Sequence, residues 1–175
     1  MKIGILSDTH GYFHPSFREL FAGADYILHA GDIGLMPVLE QLRSIAPVIA
    51  VRGNIDGEEF FDLPKQEHRV LDGISFSLIH NAGDIYHPAH DMHTRILSPT
   101  TDILISGHYH GYWCTQIKGT DHSVLWLSPG AAGNAGHHHE RTALLLTTLP
   151  ANERTGDIRH DISLEKINLG PRTFI

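Results

Sequence analysis

The ten residues Lys2–Gly11, KIGILSDTHG, set the fold class. A strand-like apolar run, Lys2–Ser7, ends in a polar cluster, Asp8-Thr9-His10-Gly11. The construction repeats downstream. A helical pattern over Pro15–Ala22 leads to the apolar run Tyr26–Ala30, which ends in Gly31-Asp32; another over Met36–Ile45 leads to Val48–Val51, which ends in Gly53-Asn54-Ile55-Asp56. Short apolar runs alternating with 3.6-residue periodicity read as β-α-β-α-β with parallel strands. In open sheets of this kind ligand sites collect at the carboxyl ends of the strands, and all three polar clusters fall there.

The remainder reads as strands and hairpins. Glu67–Leu71 and Ile74–His80 form an antiparallel pair around Asp72-Gly73, a favoured tight turn. A short helix is expected near Ala89–Leu97, then a buried strand, Asp102–Ser106, ending in Gly107-His108-Tyr109-His110-Gly111. Tyr112–Lys118 and His122–Leu127 pair around Gly119-Thr120-Asp121, and Arg141–Leu149 with Asp157–Ile167 supply further antiparallel strands. The expectation is one α/β domain over residues 1–175, with a parallel first sheet, a largely antiparallel second sheet and helices outside.

Composition narrows the chemistry. The chain has 175 residues, 41% apolar and 19% charged, which excludes a disordered polymer. No apolar run approaches the roughly 18 residues of a membrane-spanning helix. A lone Cys114 and an N-terminus without signal-peptide character read as a cytoplasmic protein. Thirteen Lys plus Arg against 20 Asp plus Glu leave a formal charge of −7, which disfavours non-specific nucleic-acid binding. The 15 histidines outnumber the 13 fixed cations, and that imbalance calls for an explanation.

Each polar cluster taken singly is ambiguous. Asp-x-His after a strand commonly caps the next helix, Gly-Asp and Gly-Asn are common turns, and a histidine closing a strand is usually a satisfied buried group. Their order is more specific. Asp8, His10, Asp32, Asn54, His80, His108 and His110 offer three oxygen donors and four imidazoles after successive strands. Seven ligands exceed one tetrahedral zinc and suit two metals sharing a carboxylate.

The ordered set DxH, GD, GN, H and GHxH resembles the calcineurin-like metallophosphoesterase superfamily, and the small size resembles its compact bacterial and archaeal phosphodiesterase branch. The resemblance runs from Ile3 to about Gly130. It implies an α/β fold with two β-sheets sandwiched between helices, a four-layer αββα arrangement. It implies Asp8, His10 and His110 on one metal, Asn54, His80 and His108 on the other, and Asp32 bridging. It further implies hydrolysis of a small phosphate-ester substrate, a diester rather than a monoester, by in-line attack of a metal-bridging hydroxide. Two cations about 3.5–4 Å apart would neutralise the phosphoryl oxygens and orient the attack. The mixed donors favour Mn, Fe, Co, Ni or Zn over Ca or Mg without choosing among them.

Three departures from the family pattern bear on mechanism. Many members carry histidine directly after the Asn of the GN motif, regarded as the leaving-group acid, and the compact branch often has cysteine; here Ile55 can do neither job. His80 is followed by Asn81 rather than the Gly-His of the compact branch. Ser128-Pro129-Gly130 resembles the family's Asn-Pro-Gly-Ser loop, with Ser128 for Asn and Ala131 for Ser. Close behind it lies His137-His138-His139. These three either sit on an exposed loop and titrate freely, or reach the site, with His138 standing in for the missing acid and His137 and His139 meeting substrate. Asn54 is a candidate catalytic contact as well as a ligand. Arg52 could meet substrate phosphate, with a structural salt bridge as its ordinary alternative.

The remaining eight histidines, at 14, 29, 68, 87, 90, 93, 122 and 160, have no coherent spacing with this set; among them His29 is the candidate for burial beside Asp32. Two other functions fit parts of the pattern. The same superfamily includes a non-catalytic scaffold subunit of a membrane-trafficking coat, and histidine enrichment alone would suit a metal-storage protein. The intact, ordered ligand set weighs against both. Exposed hairpin edges are a route to a homo-oligomer.

Overall fold

The computed structural model describes residues 1–92, 96–119 and 121–172. Two five-stranded sheets face each other. The first has the order β10-β9-β1-β2-β3 and the second β4-β5-β6-β8-β7. In the first sheet, β1 (Lys2–Leu6), β2 (Tyr26–His29) and β3 (Val48–Ala50) are parallel. Helices α1 (Phe17–Leu20) and α2 (Met36–Arg43) lie in the two crossovers. The tail strands β9 (Glu140–Thr148) and β10 (Ile162–Pro171) add to this sheet antiparallel, β9 against β1. The first sheet is therefore mixed.

The second sheet corrects the reading of its topology. Its hairpins are as expected: β4 (Gln66–Leu71) with β5 (Ile74–Ile79), and β7 (Tyr112–Lys118) with β8 (Ser123–Pro129). But β6 (Ile103–Ser106) inserts between them and pairs parallel to both β5 and β8, so the centre is parallel and only the two edges are antiparallel. Asp157, expected to begin a strand, instead caps a short helix, α3 (Ile158–Asp161), by accepting from the Arg159 amide. The helix expected near Ala89–Leu97 straddles His93–Arg95, which lie outside the described residues, as does Thr120 of the β7–β8 turn; Met92, Ile96 and Leu97 are buried.

Period-two alternation builds the core. Ile3 and Ile5 of β1, Leu28, Leu144 and Leu146 meet Phe76, Leu78, Ile103, Ile105, Leu125 and Leu127 of the opposite sheet. On the outer face of the first sheet, Leu6 and Ile27 receive Phe17, Phe21, Val38, Leu39 and Leu42 from the helices. The outer face of the second is covered by Ala82, Met92, Ile96 and Leu97 over Leu104, Val124 and Trp126.

Gly4 shows how tightly the helical layer sits. A Cβ there would lie 2.5 Å from Phe21 Cδ1 and under 3.0 Å from two further ring atoms, and Phe21 is itself stacked on Phe17 at 5.3 Å between centroids. Overpacking of this kind costs about 1–3 kcal/mol. Gly4→Ala is expected to lower Tm by roughly 3–10 °C, measured by calorimetry; an unchanged Tm would show that the ring is free to shift.

Register places the site. Leu6 is level with His29, and His29 with Ala50; across the sandwich Ile79 is level with Ser106, and Ile105 with Leu127. The loops that follow β1, β2, β3, β5 and β6 therefore emerge along one edge of the sandwich, carrying Asp8 and His10, Asp32, Asn54, His80, and His108 and His110.

Candidate metal centre

The seven candidate ligands converge in two adjoining groups. Asp8, His10 and His110 bring donor atoms within 4.8 Å of one another, as do Asp32, His80 and His108. In the first group, His110 Nε2 is 3.3 Å from Asp8 Oδ1 and 3.4 Å from His10 Nε2. In the second, Asn54 Oδ1 lies 3.0 Å from His80 Nε2 and 2.9 Å from His108 Nδ1. Asp32 faces both: Oδ1 is 3.2 Å from His80 Nε2, and Oδ2 is 3.9 Å from His10 Nε2.

The backbone is bent to achieve this. Among the described residues six non-glycine residues have positive φ, and five of them are Asp8, His10, Asp32, His108 and His110; the sixth is the turn residue Asp72. Left-handed backbone is unfavourable for side chains carrying Cβ and gathers where a site demands it. The cost is offset by hydrogen bonds that lock the loops. Asp8 N–H donates to the Gly31 carbonyl, His10 N–H to that of Asp32, and His108 N–H to the Asp8 carboxylate. Asp56 accepts from Gly34 N–H at 2.8 Å and Gly53 N–H at 2.7 Å, so it ties the β2 loop to the β3 loop.

Glycines make room for the ligands. A Cβ at Gly53 would sit 2.0 Å from Asp32 Oδ1, one at Gly107 2.7 Å from Asp8 Oδ2, and one at Gly136, where φ is +107°, 2.0 Å from His110 Nδ1. The GHxH motif already includes Gly107, whereas sequence reasoning missed Gly136 as an element of the site.

The donor chemistry fits a cation. His80 Nδ1 donates to the Ala30 carbonyl at 2.8 Å, which turns Nε2 toward the oxygens of Asp32 and Asn54. Three acceptor-bearing groups so placed need positive charge between them. Burial alone would lower the His80 pKa, but the bond to Asp32 and the charges of Asp8 and Asp32 outweigh it and raise it, so a proton is drawn to the position a cation would fill. Burial likewise acts to raise Asp32, and the His80 bond with the Ile55 amide overcomes it, keeping the carboxyl below its ordinary value. His108 is lowered by burial and by His80.

His29 is fully buried under this edge. Its Nδ1 accepts from Gly31 N–H, and Nε2 meets Thr9 Oγ1, which donates on to the Ile33 carbonyl. Burial pushes its pKa down to about 4, so it stays neutral and spans the β1 and β2 loops.

The other sequence candidates divide. His138 lines a cavity of about 470 Å³ together with His137, Tyr109 and His110. Its ring meets His110 edge-on at 5.2 Å, Nε2 donates to the Gly133 carbonyl, and burial lowers its pKa. His137 is exposed on the same cavity, whereas His139 is exposed and outside its lining. Arg52 makes no salt bridge among the described residues; it stacks on Phe61 at 4.9 Å and lines a second cavity of about 600 Å³ beside Asn54, His80 and His108. Ser128 donates to the Gly111 carbonyl and steadies the loop that carries His110.

Residues 1–150 match the model of the calcineurin-like phosphoesterase superfamily domain. A probable metallophosphoesterase of Methanocaldococcus jannaschii is 34% identical over 139 residues, 75% of this chain and 68% of the relative. A phosphodiesterase of the same archaeon is 32% identical over 143 residues, 74% of this chain and 83% of its own length. Among solved structures, zinc-complexed Vps29 from Entamoeba histolytica superposes with a TM-score of 0.68 at 20% identity, covering 97% of this chain and 100% of that one. Yfce, a phosphoesterase from E. coli, gives 0.60 at 22% identity over 97% and 100% of the two chains.

Proposed function

The chain belongs to the calcineurin-like phosphoesterase superfamily, and from that premise we propose that it is a dinuclear-metal phosphodiesterase with Asp8, His10 and His110 on one cation, Asn54, His80 and His108 on the other, and Asp32 between them. The observation that carries the reading is the pair of Asp32 oxygens turned to separate histidine groups, 3.2 Å from His80 and 3.9 Å from His10. Two divalent cations bound there would supply Lewis-acid charge neutralisation and the activation of water for in-line attack at phosphorus.

The chain's own residues do the rest. Asn54 points Oδ1 at His80 and His108, which leaves its amide N–H groups to donate to a phosphoryl oxygen. The Ile55 amide holds Asp32 Oδ1 at 3.1 Å. Cavities of about 600 Å³ and 470 Å³ meet at His108, one on each side of the candidate centre. A diester has two substituents to place, and a monoester has one; the paired cavities favour the diester. In this reading Arg52 and His137 are substrate contacts, His138 braces His110 with its Nε2 proton committed to the Gly133 carbonyl, and His139 stays outside the cavity.

The test is metal analysis of the protein purified without added metal, followed by assays on bis(p-nitrophenyl) phosphate and p-nitrophenyl phosphate with Mn, Fe, Co, Ni or Zn. About two equivalents of metal and a kcat/KM at least roughly 10-fold higher on the diester are expected. Stoichiometric metal binding without turnover on either compound would favour a scaffold on the same fold.

A further inference from the structure

The 600 Å³ cavity has a property that hydrolysis of one ester bond does not use. Arg52 and Lys65 both line it, and neither forms a salt bridge among the described residues. Asp56, the acid on the same wall, spends both oxygens on backbone amides. Arg52 N–H donates to the Pro64 carbonyl at 2.9 Å, which sets Lys65 beside Arg52 where the chain enters β4. Arg52 Nε is buried with no hydrogen-bond partner. Unneutralised cations beside a cavity stand out in a chain of formal charge −7, and they are the groups an anionic ligand entering the cavity would meet.

The cavity wall carries a second clue. Phe61 is 62% exposed, yet its ring holds the Arg52 guanidinium at 4.9 Å, and Ile79 continues the apolar surface toward His80. An Arg–Phe stack is a platform for a planar ring. The volume lies well within the range of about 300–1,000 Å³ that holds a drug-sized ligand and is far more than one phosphate fills.

We propose that this cavity binds a second phosphate of the substrate, held by Arg52 and Lys65, with a planar ring against the Arg52–Phe61 stack and the scissile phosphate at Asn54, His80 and His108. The inference rests on the phosphodiesterase reading and names its substrate class: a small diester of which one substituent carries both a ring and a terminal phosphate, as in a 5′-phosphorylated dinucleotide. Guanidinium and ammonium groups together suit a phosphate dianion, with Arg52 supplying a planar fork and Lys65 a mobile point charge.

Two measurements separate this inference from the reading it rests on. In the metal-stripped protein, titration calorimetry is expected to show thymidine 3′,5′-bisphosphate binding at least roughly 10-fold more tightly than thymidine 3′-monophosphate, and Lys65→Ala and Lys65→Glu are expected to erase that advantage. Lys65 is exposed, and an unchanged Tm shows that the variants fold. In the metal-loaded protein, kcat/KM for 5′-phosphorylated thymidylyl-thymidine is expected to exceed that for the unphosphorylated dinucleotide by roughly 10-fold through KM, with Lys65→Ala bringing the ratio to about 1. Equal affinity for the bisphosphate and the 3′-monophosphate, or a ratio that survives Lys65→Ala, overturns the subsite even where diesters are hydrolysed. A bisphosphate preference that Lys65→Ala erases, without hydrolysis of any diester, supports the subsite and overturns the enzyme reading alone.

Discussion

Asp32→Asn is expected to abolish cation binding and turnover together while the protein stays folded. The fold should tolerate the change because asparagine accepts left-handed backbone at least as readily as aspartate, and Asp32 sits at φ 54°. An asparagine Oδ1 can still accept from the Ile55 amide, now at 3.1 Å. That bond fixes the amide orientation: Nδ2 then takes the place of Oδ2 and turns N–H donors toward His10, 3.9 Å from the present oxygen. One change therefore removes a negative charge from both groups and replaces one acceptor with donors. Removing outer partners of metal ligands typically costs about 10–100-fold in affinity or activity; losing the carboxylate common to both groups should cost at least roughly 10³-fold. The measurement is metal stoichiometry by mass spectrometry beside kcat/KM on bis(p-nitrophenyl) phosphate, with Tm as the folding control. Retention of two equivalents of metal would remove Asp32 from the bridging position.

Why the first half of the fold was readable, and the second only in part, follows from what lies between the paired strands. β1, β2 and β3 are joined by short crossovers, so apolar periodicity and the closing Gly, Asp and Asn clusters encode their pairing locally. The hairpins β4–β5 and β7–β8 are equally local. β6 meets β5 and β8 across spans much like those within β1, β2 and β3, but the connection to β8 runs through the hairpin strand β7, and nothing in the residues of β6 distinguishes these neighbours from others; the docking of β9 on β1 does depend on residues far apart in the chain. The ligand types were legible because their order repeats strand after strand. Their backbone was not: the positive φ at five of them, and the glycine opposite His110 at position 136, are demands of three-dimensional crowding. Arg52 was open to a salt-bridge reading because sequence says nothing of the missing acid partner; the structure gives it Phe61 instead. The pairing of Arg52 with Lys65 comes from one non-local backbone bond, Arg52 to Pro64, which no motif announces.

Ile55 leads to the second large effect, which concerns the leaving group. Its backbone amide serves Asp32, and its side chain, 47% exposed, can neither donate nor accept a proton. A departing alkoxide needs a proton in the transition state, whereas a nitrophenolate does not, and a positioned acid is worth about 10²–10⁴-fold for the former. The wild-type protein should therefore cleave aryl diesters far faster than alkyl diesters, with a steep fall in kcat as leaving-group pKa rises. Ile55→His is expected to raise kcat on a methyl diester by roughly 10²-fold and to leave bis(p-nitrophenyl) phosphate within about 3-fold, flattening the series. His138→Ala provides the contrast. As placed, His138 donates to Gly133 and braces His110, so its removal should lower turnover on aryl and alkyl diesters by the same factor. A loss confined to alkyl diesters would assign proton delivery to His138. A wild-type series with no dependence on leaving-group pKa would mean that protonation does not limit the reaction and that Ile55 costs it nothing.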